Sequence, residues 1–181
     1  MKALVVYGTR WGGTVEVAQK IGDTLQQQGY AVTVADAKTP PQSVDAYDLV
    51  VVGSGMRADK WTKESIQFLQ KNAQALRQKK TALFVSCQIA DRKDGDPIKE
   101  KAKNKYLQGT AQEAGLQPIA YGFFGGYMDF NQSHGLIVDV MMKVNRKKLE
   151  RGGLDQSRNL DTRNWAEIEA WTRQIAALAK Q

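Results

Sequence analysis

Apolar residues along this chain fall into two alternating patterns: short β-branched runs, and longer segments in which apolar positions return every three or four residues. Ala3-Leu-Val-Val-Tyr7 is of the first kind and predicts a strand. From Val15 to Gln28, the residues Val17, Ala18, Ile21 and Leu25 share one helical face, and Gly29 supplies a stop. Tyr30 to Ala35 predicts a second strand, followed by a loop at Thr39-Pro40-Pro41. Asp48-Leu-Val-Val-Val-Gly53 is almost wholly apolar, the composition of a strand buried on both faces of a parallel sheet. Trp61 to Leu76 aligns Ile66, Leu69, Ala73 and Leu76 as a helix, and Thr81 to Ser86 predicts a fourth strand. Pro97 suits the first turn of a helix running to Ala114, which Gly115 ends; Leu116 to Phe124 is the fifth strand. Two further helices are expected, about Ser133 to Lys148 and about Thr162 to Lys180, joined by a polar loop from Leu149 to Asp161.

This order predicts an α/β fold: a doubly wound, five-stranded parallel sheet with right-handed crossovers, helices on both faces and an extra helix near the C-terminus. The whole chain, residues 1–181, is expected to be one domain, with 133–161 a helical and loop addition after strand five. In such sheets ligands sit beyond the carboxyl ends of the strands at the switch point, so the loops after strands one, three, four and five are the ones to search.

Composition narrows the chemistry. No apolar segment approaches the roughly 20 residues that cross a bilayer, and the brief run after Lys2 reads as a strand rather than a secretory segment, so a cytoplasmic protein is expected. A single cysteine, Cys87, excludes an internal disulfide or a zinc finger, and a single histidine, His134, argues against an imidazole metal cluster; no metal site is expected. The formal charge of +7 attracts anions: nucleic acid, anionic lipid, an acidic protein or a small acidic substrate. Nucleic acid is the least supported, because the lysines are not interleaved with aromatics and no RNP, zinc or helix-turn-helix signal is present.

The loop after strand one is Gly8-Thr9-Arg10-Trp11-Gly12-Gly13-Thr14. Gly8 and Gly13 have the spacing of a Walker A loop, but Thr14-Val15 stands where Lys-Ser/Thr is required. Arg10 occupies the middle glycine of a dinucleotide fingerprint, and strand three lacks the terminal aspartate of a receiver domain. What remains is two threonines and two glycines entering a helix N-terminus, where unpaired amides and the helix dipole favour an anion. Such a loop suits a terminal phosphate ester; a tight turn with a threonine near the helix start is the alternative.

Tyr7, Thr9, Gly12, Thr14 and Ala18, at these spacings, resemble the phosphate-loop signature of the flavodoxins. The resemblance implies a flavodoxin-like fold and noncovalent FMN, with its phosphate held by Thr9, Arg10, Trp11, Gly12, Gly13 and Thr14. It also carries Ser54, Gly55, Met56 and Arg57 over as contacts along one side of the flavin, and Ser86, Cys87, Gln88 and Ile89 along the other. Flavodoxins usually sandwich the ring between aromatics from these two loops, and neither loop tip has one here. Trp11 and Trp61 stand nearby, as ring contacts or as packing. Arg57 is a candidate for the flavin-centred chemistry: an arginine near the ring would favour electron acceptance, on a scale of about 4 kcal/mol for unit charges 4 Å apart at an effective dielectric near 20. The alternative is a solvated arginine. Cys87 reads as a small buried residue, and the lysine-rich helix from Pro97 as a solvated basic face.

Within this family the chain is similar to the quinone-dependent protoporphyrinogen IX dehydrogenases, through Gly8-Thr9-Arg10, Tyr47-Asp48 through Gly53 to Arg57, Ala90-Asp91-Arg92-Lys93 and Asp161-Thr162-Arg163-Asn164-Trp165. That resemblance implies a reduced porphyrinogen passing electrons to FMN and a quinone reoxidising it, with Arg57, Arg92 and Lys93 attracting propionates. Leu136, Ile137, Val140, Met141 and Val144, with a basic end at Lys143 to Lys148, would either pack on the sheet or touch the inner face of a membrane. One departure stands out: Gly125 to Phe130 contains no arginine, where those dehydrogenases tend to carry several. The alternative is a flavodoxin-type electron-transfer module for an acidic redox protein.

Overall fold

The computed structural model describes residues 1–128 and 160–181. The helix expected from Ser133 to Lys148, His134 within it, and most of the expected loop after it lie outside the described residues. Five parallel strands, β1 (Lys2–Gly8), β2 (Ala31–Asp36), β3 (Leu49–Gly55), β4 (Lys80–Ser86) and β5 (Ala120–Phe124), form one sheet in the order β2-β1-β3-β4-β5. Strand alternation explains how it is covered. Leu4, Val6, Val50, Val52, Leu83 and Val85 point to one face, against α2 (Lys63–Lys71), α3 (Ala73–Leu76), α4 (Pro97–Lys103) and α5 (Thr110–Glu113). Ala3, Val5, Leu49, Val51, Ala82 and Phe84 point to the other, against α1 (Gly13–Gln27) and the C-terminal helix (Trp165–Leu178). The doubly wound expectation therefore holds, with the switch point between β1 and β3.

Register brings the loops level. Gly8 lies opposite Ser54, and Gly55 opposite Ser86, so the chain leaves β1, β3 and β4 at one edge of the sheet. Gly8 is buried at that edge, and a Cβ there would stand 1.9 Å from Thr62 Oγ1 and 2.4 Å from Ser65 Oγ. Those hydroxyls start α2: Thr62 caps it by accepting from the Ser65 N–H at 3.3 Å, and Ser65 Oγ donates to the Gly53 carbonyl at 3.0 Å.

Several predicted boundaries shift, each for a tertiary reason. The helix expected from Trp61 starts only at Lys63, because Trp61 is a buried core residue just ahead of the cap. The helix expected from Pro97 to Ala114 is interrupted by a π turn over Asn104–Gly109. Trp61 Nε1 donates to the Tyr106 carbonyl inside that turn at 2.7 Å, anchoring the irregular backbone to the α2 side. Strand five begins at Ala120 rather than Leu116, after Gly115 at φ 64. Two short strands, β6 (Tyr127–Met128) and β7 (Leu160–Asp161), pair antiparallel where only loop was expected. The last helix accordingly starts at Trp165, capped by Asn164.

A Gly8→Ala substitution is expected to cost about 2–3 kcal/mol, through overpacking and the disturbed α2 cap. Gly29→Ala, where nothing lies within 4 Å, is expected to cost only about 1 kcal/mol of backbone strain at φ 85. Urea unfolding of the two variants checks the difference.

Candidate functional site

At the edge where β1, β3 and β4 end lies a cavity of about 240 Å³. From the first loop it is lined by Thr9, Arg10, Trp11, Gly13 and Thr14, and from the third by Gly55 and Met56. Ser86, Cys87, Gln88 and Ile89 close the β4 side. The structure thus brings together three stretches that the sequence singled out separately.

The first loop owes its shape to local chemistry. Gly12 sits at φ 88, a left-handed conformation that leaves α1 without a side-chain cap. Thr9 Oγ1 accepts the Gly12 N–H at 2.9 Å, which folds the loop back on itself. Among the described residues, the Gly13 and Thr14 amides have no backbone acceptor, so the first turn of α1 presents donors and the positive end of its dipole. The Thr14 side chain is almost wholly buried yet borders the cavity.

Three of the anticipated FMN contacts in the first and third loops do not line the cavity. Gly12 shapes the loop from outside. Ser54 is fully buried, accepting from the Thr62 N–H at 2.8 Å and donating to the Gly55 carbonyl at 2.8 Å. Arg57 instead places its guanidinium over the Trp11 indole, 5.5 Å from the ring centre, and so acts on a cavity wall rather than from within it. Trp61 is packing: it is 6% exposed in the core and is not part of the lining. Arg92 is drawn aside by an ion pair with Asp96 at 2.8 Å.

The aromatics of the cavity come from elsewhere, Tyr106 of the π turn and Tyr127 of β6 joining Trp11. Tyr106 donates its phenol to the Asp59 carboxylate, and Lys105 Nζ approaches the same carboxylate at 3.1 Å. Burial and then the Asp59 charge push the Tyr106 phenol above its ordinary range, while the bonds from Tyr106 and Lys105 hold Asp59 below its own. Asp59 belongs to a tight hairpin in which Arg57 and Lys60 exchange backbone hydrogen bonds at 3.1 and 3.0 Å. Ala58 at φ 47 and Asp59 at φ 61 are both left-handed, which costs about 1–2 kcal/mol per ordinary residue. The Tyr106–Asp59 bond is what clamps this strained turn against the cavity. Sequence reasoning missed it: Lys101, Lys103 and Lys105, with Glu100, form the exposed basic face expected, but Tyr106, 3% exposed, turns the other way.

A second network ties the chain's end to its beginning. Arg163, whose side chain is 4% exposed, donates from Nε and Nη2 to Asp161 at 2.8 and 2.7 Å, and from Nη1 to Glu16 at 3.0 Å and the Gly13 carbonyl at 3.1 Å. Its guanidinium carbon lies 4.9 Å from the centre of the Tyr127 ring and 4.6 Å from that of the Trp165 ring. These bonds hold Asp161 below the usual carboxylate range. Alongside, Thr162 Oγ1 donates to Gln88 Oε1 at 3.1 Å. That orients the Gln88 amide, whose buried Nε2 has no partner among the described residues. The Cys87 thiol is pushed up to about 11 by burial, and so stays protonated at neutral pH.

A family model described as a flavodoxin domain matches residues 4–151. The chain belongs to the flavodoxin family. Over 98% of its length it is 24% identical to a protoporphyrinogen IX dehydrogenase [quinone] of Escherichia coli K12, of which 96% is covered. Among solved structures it shares its fold with a flavodoxin from the domain Archaea, at TM-score 0.59 and 18% identity with both chains fully covered. A Streptococcus pneumonia TIGR4 flavodoxin aligns at TM-score 0.59 and 14% identity, over 98% of this chain and 99% of the other. Membership makes FMN the cofactor, and the cavity fits it: unpaired amides and hydroxyls at the α1 N-terminus for a phosphate, flat walls from Trp11 and Tyr127, and the orphan Gln88 amide as a buried donor for a polar ring edge.

Arg163→Met is expected to cost about 2 kcal/mol, less than the 3–5 of a fully buried pair because Glu16 and Asp161 are partly exposed. The FMN dissociation constant should rise with it. Asp161 has a depressed folded pKa, so its contribution is present above about pH 4 and is lost as pH falls through the folded value. Urea titrations at several pH values should therefore show a weaker acid dependence in the variant. In the FMN-free protein, alkylation of Cys87 by iodoacetamide should keep accelerating up to pH 11, where an ordinary thiol levels off near 9–10.

Proposed function

We propose that this flavodoxin-family chain is an FMN-dependent oxidoreductase that oxidises a reduced, anionic, porphyrinogen-like substrate and delivers the electrons to a quinone. One observation carries the reading: the charge around the cavity. Flavodoxin shuttles tend to surround the flavin with carboxylates, whereas among the described residues Asp59 is the only carboxylate in this lining, and Lys105 and Tyr106 already engage it. Arg10 adds a cation to the lining, and Arg57 another beside it over Trp11. A field of this sign draws an anionic reductant to the mouth and favours negative charge inside.

When bound, FMN supplies reversible one- and two-electron transfer. Thr9, Arg10, Gly13 and Thr14 are the residues that would hold its phosphate, with Gly12 shaping the turn. Gly55, Met56, Ser86, Cys87, Gln88 and Ile89 would border the ring, Trp11 and Tyr127 would cover it, and Ser54 and Arg57 would support those walls from behind. Cys87 and Tyr106 both remain protonated near neutrality, so neither serves as a base. The similarity to the E. coli dehydrogenase supports both the porphyrinogen-like substrate and the quinone.

The reading includes work in the cytoplasm as a single domain, with peripheral contact at the inner membrane face where a quinone is met. Among the described residues no helix is long and apolar enough to cross a membrane. The charge of +7 favours a second reading, a module that exchanges electrons with an acidic redox protein.

Anaerobic mixing of the FMN-loaded protein with protoporphyrinogen IX should bleach the oxidised flavin band, and a menaquinone analogue should restore it. An unchanged band with the porphyrinogen, alongside rapid exchange with an acidic redox protein, would replace the first reading by the second.

A further inference from the structure

Beside the cofactor cavity, between α2 and the π turn, runs a second and larger concavity of about 660 Å³ that shares Arg10, Asp59 and Tyr106 with it. Its size is in the range of small-molecule sites, about 300–1,000 Å³. The floor is apolar, made by Trp61, Ile66 and Tyr106. The rim carries Arg10, Lys60, Lys63 and Lys105 against two carboxylates, Asp59 and Glu113. Lys105 and the Tyr106 phenol already engage Asp59. Among the described residues, Arg10, Lys60 and Lys63 have no ion-pair partner.

Lys63 breaks a local rule. It is the first residue of α2, where the positive end of the dipole disfavours a cation; Glu64 follows it in the same turn, but no ion pair joins the two. A cation kept in an unfavourable place, on the rim of a groove with two other unpaired cations, points outward to a ligand.

We infer that this groove binds the carboxylate-bearing part of the organic reductant: an amphipathic polycarboxylate whose apolar body lies over Trp61, Ile66 and Tyr106 and whose carboxylates meet Lys60 and Lys63, Arg10 being left to the cofactor phosphate. The inference rests on the oxidoreductase reading given above. Charge complementarity and shape choose this occupant. A second copy of a chain at +7 would be repelled, and a concavity of this size with an apolar floor suits one compact molecule better than a polymer track or a flat protein face. Asp59 and Tyr106 form the wall between groove and cavity, so the bound anion would lie one side chain away from the flavin site.

The test uses the FMN-loaded protein and a redox-inert probe, protoporphyrin IX, with its dimethyl ester as the uncharged counterpart, followed by fluorescence titration. The free acid is expected to bind at least about tenfold more tightly than the ester, a difference of about 1.4 kcal/mol. Lys60→Glu/Lys63→Glu is expected to weaken the free acid by at least about tenfold and to leave FMN affinity unchanged. Lys2→Glu/Lys80→Glu, the same charge change at the opposite ends of β1 and β4, should have little effect. Equal losses in both double variants, equal binding of acid and ester, or no porphyrin binding by the wild type would each overturn the groove assignment. If porphyrinogen still bleaches the flavin in that case, the oxidoreductase reading stands without it; if porphyrin binds as expected but porphyrinogen is not oxidised, the groove stands and that reading falls.

Discussion

The first turn of α1 ends in peptide N–H groups that the helix itself cannot satisfy, and in this fold they face the one place where neighbouring crossovers diverge. Burying those donors without an acceptor would be costly, and closing the turn with a capping side chain would fill the cavity. The chain does neither. Gly12 takes the left-handed turn, Thr9 folds back onto it, and the amides of Gly13 and Thr14 stay directed at the cavity. The position of every other wall is set relative to that fixed, positively polarised end.

Two clamps hold the walls. Arg163 binds the carbonyl of Gly13 and the carboxylate of Glu16 while stacked between Tyr127 and Trp165, so the polypeptide's last segment fixes its first loop. Tyr106 grips Asp59, so the α4 side fixes the strained hairpin after β3. Both clamps use charges that are paired close to the site, while Lys60 and Lys63, without an ion-pair partner among the described residues, stand on one flank. Positioning of the cofactor and attraction of an anion are thereby assigned to different residues.

How much of this was legible in the sequence follows from how local each feature is. The strands β1, β3 and β4 were readable because their burial on both faces demands unbroken apolar runs, and the first loop because glycines and threonines at a helix start act within six residues of one another. Helix interruptions were not readable: the π turn depends on an indole donor from Trp61, 45 residues away in sequence. The same holds for Tyr106 and Asp59, 47 residues apart and joined only once α4 has packed. Trp61 illustrates the ambiguity most directly, since an aromatic before a helix looks alike whether it turns to the core or to a ligand. The Asp161 to Trp165 stretch stood out as a motif, but its role as the clamp on the first loop required knowing where the chain's two ends meet.

The account depends on the α1 N-terminus binding an anion, and the phosphate of the cofactor reports on that alone. Comparing FMN with riboflavin, by quenching of flavin fluorescence on titration with the FMN-free protein, removes the phosphate and leaves the ring unchanged. The account requires FMN to bind at least about a hundredfold more tightly, near 2.7 kcal/mol, with most of the difference lost in a Thr14→Val variant. Equal affinity for the two flavins would contradict it.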